Sequence, residues 1–145
     1  MPITPLHYSV VYPLKKILRD KIRFPGLIVG CFTPDLEIPF IYLFTRAIGI
    51  GPYDRLILHS IIGGLIFGTL IALLLTRFLY VPVVRFFTDV RENDYEYTKV
   101  NFKQVVSAVI GVESHVFIDS LHHPYNPLLW PFSLENVSIF LISQN

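Results

Sequence analysis

Twenty-one consecutive residues, Leu56 to Thr76, carry no formal charge. As an α-helix they would extend about 31 Å at ~1.5 Å per residue, the thickness of a bilayer's hydrocarbon core. A soluble domain would have to hide such a run, and the rest of the chain offers little to hide it with. Of the 145 residues, 52% are apolar and only 16% charged, well under the ~25% charged residues of soluble domains. The chain therefore reads as one all-α domain over residues 1–145, a small membrane-embedded up-and-down helical bundle. Leu56–Thr76 is its one clear transmembrane helix, and the flanking helices are short or broken. Gly51-Pro52 marks the start of the span, His59 lies in its first turns, and Gly64 with Gly68 gives it a small-xxx-small face for close helix packing.

The flanks follow from local signals. Thr4-Pro5 opens a helix that carries His7 in its first turn and runs to about Leu18, too short to cross a bilayer. Pro13 should bend or break it. Lys15, Lys16, Arg19, Lys21 and Arg23 make a basic loop suited to anionic lipid headgroups. The net charge is only +1, so no nucleic-acid partner is expected. Met1 to His7 shows no basic stretch leading into an apolar core, so insertion is expected to rely on an internal helix. Phe24 to Phe44 is apolar except at Thr33-Pro34-Asp35-Leu36-Glu37, where the prolines predict two short helices separated by a break. Acids at such depth are tolerated only against protein or a polar cavity. Residues 85–103 mix charges and read as a solvated loop with short helical pieces. Asn101 with Gln104 resembles a capping box opening a last long helix, which Pro124 ends. Pro127 to Pro131 should be extended and interfacial, and Ser133 to Ser143 should form a final short amphipathic helix.

His115, Asp119 and His123 follow one another at four-residue spacing on that last long helix, hence on roughly one face. A helix can hold a metal ion from such a spacing. The surrounding sequence is apolar, where a carboxylate is costly unless paired or coordinated. The single Cys31 excludes a cysteine-rich site, so a metal would be held by nitrogen and oxygen, which suits zinc, manganese or iron. Threading the helices up and down brings His7, Asp35, Glu37, His59, His115, Asp119 and His123 to one end. The same threading sends ten of the twelve Lys and Arg residues to the opposite end, leaving only Arg46 and Arg55 beside the histidines. Basic loops stay cytoplasmic, so a multi-pass protein of the cell membrane is expected, with its histidine end facing the extracytoplasmic side.

These residues resemble the predicted membrane-bound metal-dependent hydrolases, similar at the superfamily level to zinc-dependent phospholipase C and the zinc single-strand nucleases. The resemblance runs from His7 to about Phe132. It rests on His7, Pro34-Asp35-x-Glu37, His59-Ser60 before the span, and His115-x-x-x-Asp119 followed by Pro-Leu-Leu-Trp-Pro at 127–131. Where many relatives carry His-Arg-Gly-x-Thr-His, this chain has Asp54-Arg55 ahead of Leu58 and His59. The resemblance implies a divalent metal, zinc, held by Asp35, His59, His115 and Asp119, with His7 joining Asp119 on a second ion. It further implies hydrolysis of a lipid-like or small phosphoester, with membrane lipids as surroundings and Glu37 or the spare His123 as general base. The residues alone also fit a metal or proton carrier, or a scaffold whose polar groups only pin helices together.

Overall fold

The computed structural model describes residues 5–48, 55–89, 93–122, 126–133 and 135, and among these every regular element is helical. Helix α1 (Pro5–Leu18) runs uninterrupted through Pro13, so that proline does not break it. A 3-10 turn at Arg19–Lys21 leads to α2 (Phe24–Phe32), which has Pro25 in its first turn, and then to a second 3-10 turn at Pro34–Leu36 and α3 (Glu37–Ile48). The expected break between α2 and α3 is only this tightened turn. Pro34 opens the turn and Pro39 is the third residue of α3, positions where a missing N–H removes no helical hydrogen bond.

The central helix α4 (Ile61–Phe87) outlasts the uncharged run and continues past Arg77 to Phe87. It does not contain His59. A 3-10 turn at Ile57–His59 precedes it, and Ser60 caps it, with extended backbone and a hydroxyl that accepts the Gly63 N–H at 3.0 Å. Two π-helical stretches, Gly64–Gly68 and Thr76–Tyr80, interrupt its ladder. The second lies just before Pro82, whose absent N–H would break a regular ladder there. A short α5 (Asn93–Tyr97) precedes α6 (Phe102–His122). The Asn101 side chain caps α6 by accepting the Gln104 N–H at 3.0 Å. The Gln104 side chain does not return the favour. With its amide oriented to suit its neighbours, it accepts from Gly26 N–H at 2.8 Å and donates to the Tyr97 carbonyl.

Three stretches are long and apolar enough to cross a membrane: Phe24–Phe44, Ile61–Phe87 and Phe102–Leu121. Phe24–Phe44 and Phe102–Leu121 thus qualify beside the one span expected, because acids folded against other helices do not interrupt a span as acids facing lipid would. Outward-facing Leu65, Phe67, Leu70, Leu74 and Phe78 give α4 an apolar exterior, consistent with a lipid setting.

The tightest pairing is between α2 and α6. It is parallel, as the up-and-down threading runs both segments toward the histidine end. Glycines make it possible: a Cβ at Gly30 would lie 2.5 Å from the Ala108 carbonyl oxygen, and one at Gly111 would strike the Leu27 carbonyl. Gly64 and Gly68 of α4 similarly admit Val112 of α6, as their spacing suggested. Val11, Ile22, Leu27 and Cys31 join α1 to α2, while Ala72, Ala108, Val112, Val116 and Leu128 join α4 to α6. Residues 128–132 form successive turns, not an extended strand. The Leu128 carbonyl accepts the Ile61 N–H at 3.1 Å and so holds this segment against the start of α4. The expected helix over 133–143 lies almost wholly outside the described residues.

Candidate metal centre

The packing brings three chain segments to one point. Asp35 comes from the turn between α2 and α3, His59 from the turn before α4, and His115 and Asp119 from successive turns of α6. His59, His115 and Asp119 are buried, and Asp35 is partly exposed. One ligand atom from each lies within 4.8 Å of all the others, and the four could hold a metal ion.

Each imidazole is set by what its other nitrogen touches. His115 Nδ1 lies 2.7 Å from the Cys31 carbonyl oxygen, which can only accept, so Nδ1 carries the proton. His59 Nδ1 lies 2.6 Å from Glu37 Oε1, and an ionised carboxylate likewise only accepts. Both rings therefore turn a basic Nε2 toward the same point. His59 Nε2 is buried and makes no hydrogen bond among the described residues. Partners of this kind on the far ring nitrogen are what fix a metal-ligating histidine.

The distances fit coordination better than direct pairing. His59 Nε2 lies 3.4 Å from Asp119 Oδ2 and 3.8 Å from Asp35 Oδ1, and His115 Nε2 lies 3.7 Å and 3.4 Å from the same two atoms. Charge-assisted hydrogen bonds close to about 2.7–2.9 Å. Four ligands at ~2.0 Å around a tetrahedral zinc would stand about 3.3 Å apart. Burial pushes the His59 imidazole's pKa down, but Asp119, Asp35 and Glu37 outweigh it and hold the pKa up at about 9. The cluster thus draws positive charge inward. Three carboxylates with Arg55 leave two negative charges, which one divalent cation would neutralise while the imidazoles stay neutral.

Glu37 sits one layer out. Its Oε1 accepts the Leu56 N–H at 2.8 Å as well as His59 Nδ1–H, and its Oε2 accepts the Leu58 N–H at 2.9 Å. The carboxylate thus fastens the His59 turn to the start of α3. Arg55 closes the other side, with its Nε donating to Asp119 Oδ2 at 2.7 Å.

Of the residues anticipated from sequence, Asp35, His59, His115 and Asp119 come together and Glu37 supports them. His7 lies in the first turn of α1, but its side chain is not among those described, and His123 falls outside the described residues. Sequence reasoning did not single out Arg55 as a site residue. Its signal was scarcity, because it is one of only two basic residues threaded to the histidine end.

The profile of a domain of unknown function, DUF4184, matches residues 1–139, and the chain belongs to that family. No curated protein and no solved structure matches the chain.

Proposed function

We propose that this DUF4184 member is a membrane-embedded metal-dependent hydrolase acting on phosphoester groups of lipid-like molecules. The observation that carries the reading is the buried Asp35–His59–His115–Asp119 cluster, with both Nε2 atoms turned inward by Glu37 and the Cys31 carbonyl. Two nitrogens and two oxygens, with N–O separations of 3.4–3.8 Å, suit zinc. A divalent ion held here supplies a Lewis acid and makes a nearby water acidic enough to react near neutral pH. The chain's own residues orient the ligands and exclude bulk water, and Glu37 acts through His59. With both its oxygens already accepting N–H groups, Glu37 is a positioning residue in this reading and not the base.

The setting supports a lipid-like substrate. Asp35 lies midway along the Phe24–Phe44 stretch, while His59 just precedes α4 and Asp119 lies in the last turns of α6. The site is therefore sunk within the apolar layer near one end. Beside it α3 exposes Phe40, Leu43 and Phe44, an apolar flank along which an acyl chain can lie. We expect zinc-dependent hydrolysis of bis(p-nitrophenyl) phosphate and of a fluorogenic phospholipid in mixed micelles. Activity should fall roughly a hundredfold or more in His115→Ala and persist in His122→Ala. One observation favours a second reading. Four protein ligands are the complement of a structural zinc site, whereas catalytic sites usually keep a position open. Zinc that raises the melting temperature while no phosphoester is cleaved would establish that pinning role. A carrier is disfavoured because the ligands gather at one end instead of spanning the bilayer's depth.

The orientation follows from the basic end. Arg23 donates to the Glu96 and Tyr97 carbonyls and Lys103 to the Asp20 carbonyl, so the first basic loop and the start of α6 share one end, opposite the metal cluster. With that end cytoplasmic, the site opens outward. In a Cys31→Ser background, Gly49→Cys should react with an impermeant maleimide on intact cells, and Asn93→Cys should not. The reverse labelling would turn the site toward the cytoplasm.

A further inference from the structure

We infer that Arg55 is the anion subsite of this centre, placed to take two oxygens of a phosphoryl group that also reaches the metal. The inference rests on the metal reading above and adds the residue that would recognise substrate charge. The Arg55 side chain is only 9% exposed, and among the described residues its one hydrogen bond runs from Nε to Asp119 Oδ2 at 2.7 Å. A guanidinium has five N–H donors in a planar fork. A contact through Nε alone fixes the plane of that fork and leaves the Nη–H donors without a protein acceptor among the described residues. Such donors can exchange water for the oxygens of a bound anion. What fits a guanidinium edge is a pair of oxygens on one anionic group, carboxylate or phosphate.

Position argues for an anion that also meets the metal. Asp119 Oδ2 is the oxygen that faces both histidine Nε2 atoms, and it is the oxygen that Arg55 holds. Arg55 and a cation at the cluster would therefore flank one carboxylate oxygen from two sides. Two oxygens of a single tetrahedral phosphoryl group can reach two such neighbouring charges at once. Charge balance favours a singly charged group. Asp35, Glu37, Asp119 and Arg55 with one divalent ion sum to zero, so a monoanion leaves the site at −1 and a dianion leaves it at −2, the costlier state in an apolar layer. The ligand class is thus a phosphodiester-type monoanion. Lysine at position 55 would keep the charge but lose the planar fork.

The test uses the full chain in detergent, loaded with cobalt(II), whose visible absorption reports its ligands. Dimethyl phosphate, which has no lipid tail, and dihexanoyl phosphatidylglycerol are titrated separately into wild type, Arg55→Lys and Arg55→Met. Wild type should bind both diesters, the lipid more tightly if the α3 flank contributes. The variants should keep the cobalt spectrum yet bind dimethyl phosphate roughly tenfold or more weakly, with Arg55→Met the weaker. Cobalt-loaded variants that bind it as tightly as wild type would overturn the inference, as would wild type that holds cobalt and ignores both diesters. Loss of cobalt from both variants would also overturn it, leaving Arg55 with the sole task of holding Asp119. Wild type that takes up no cobalt would sink the metal reading itself, and this inference with it.

Discussion

Asp119→Ala should strip the protein of its metal, taking wild type from about one zinc per chain to none by elemental analysis after purification without chelators. The loss should exceed that of one ligand among four, because Asp119 does two things. Its Oδ2 faces both His59 Nε2 and His115 Nε2, and the same oxygen accepts Arg55 Nε–H. Removing it leaves a nearly buried guanidinium without its partner, which typically costs about 3–5 kcal/mol. Asp119→Ala should therefore also melt at lower temperature than wild type, even without metal. Asp119→Asn separates the effects, since an amide oxygen can still accept from Arg55 but ligates zinc poorly. That variant should keep most of the metal-free stability and lose most of the zinc. In wild type, zinc at a hundredfold above its dissociation constant should stabilise by about 2.7 kcal/mol, read as a rise in Tm. Wild-type protein that arrives metal-free, and shows no change in Tm on zinc titration, would remove the basis for the centre.

Why was the clustering of Asp35, His59, His115 and Asp119 legible before the fold? Each is a polar group that apolar sequence cannot accommodate alone. Asp35 interrupts an apolar stretch, His59 stands at the edge of the uncharged run, and His115 and Asp119 share a helix face. Up-and-down threading then sufficed to place them at one end. The supporting groups were not legible, because their roles depend on backbone that exists only after folding. The acceptor for His115 is the Cys31 carbonyl, available because α2 and α6 run parallel and close. Threading gave the two segments the same direction, but their close contact depends on Gly30 and Gly111, whose partners lie some eighty residues away. Glu37 looked like a spare acid because its partners are the amides of the Leu56–Leu58 turn, some twenty residues away. The extent of α4 was hidden for another reason: a charged residue ends a hydrophobic window without ending a helix. Arg77 and Arg85 both lie within it.

Glu37→Gln should lower zinc affinity about 10–100-fold, the usual cost of losing a partner that orients a ligating histidine. Both Glu37 oxygens accept N–H groups: Oε1 from Leu56 and His59 Nδ1, and Oε2 from Leu58. A carboxamide has one acceptor and one donor end. If its oxygen takes the Oε1 position, its NH2 confronts the Leu58 N–H and the turn carrying His59 is pushed away. In the reverse orientation the NH2 faces His59 Nδ1, favouring the tautomer protonated on Nε2, which cannot ligate. Either way the loss falls on metal binding. A general base would behave otherwise: Glu37→Gln would keep zinc at wild-type affinity and lose hydrolysis alone. Zinc affinity within about threefold of wild type, measured by competition with a chromophoric chelator, would show that His59 is held without Glu37. Glu37→Ala gives the upper bound. It leaves three N–H donors without their acceptor, at about 1–3 kcal/mol for each that water cannot reach, so it should lower Tm as well as metal affinity.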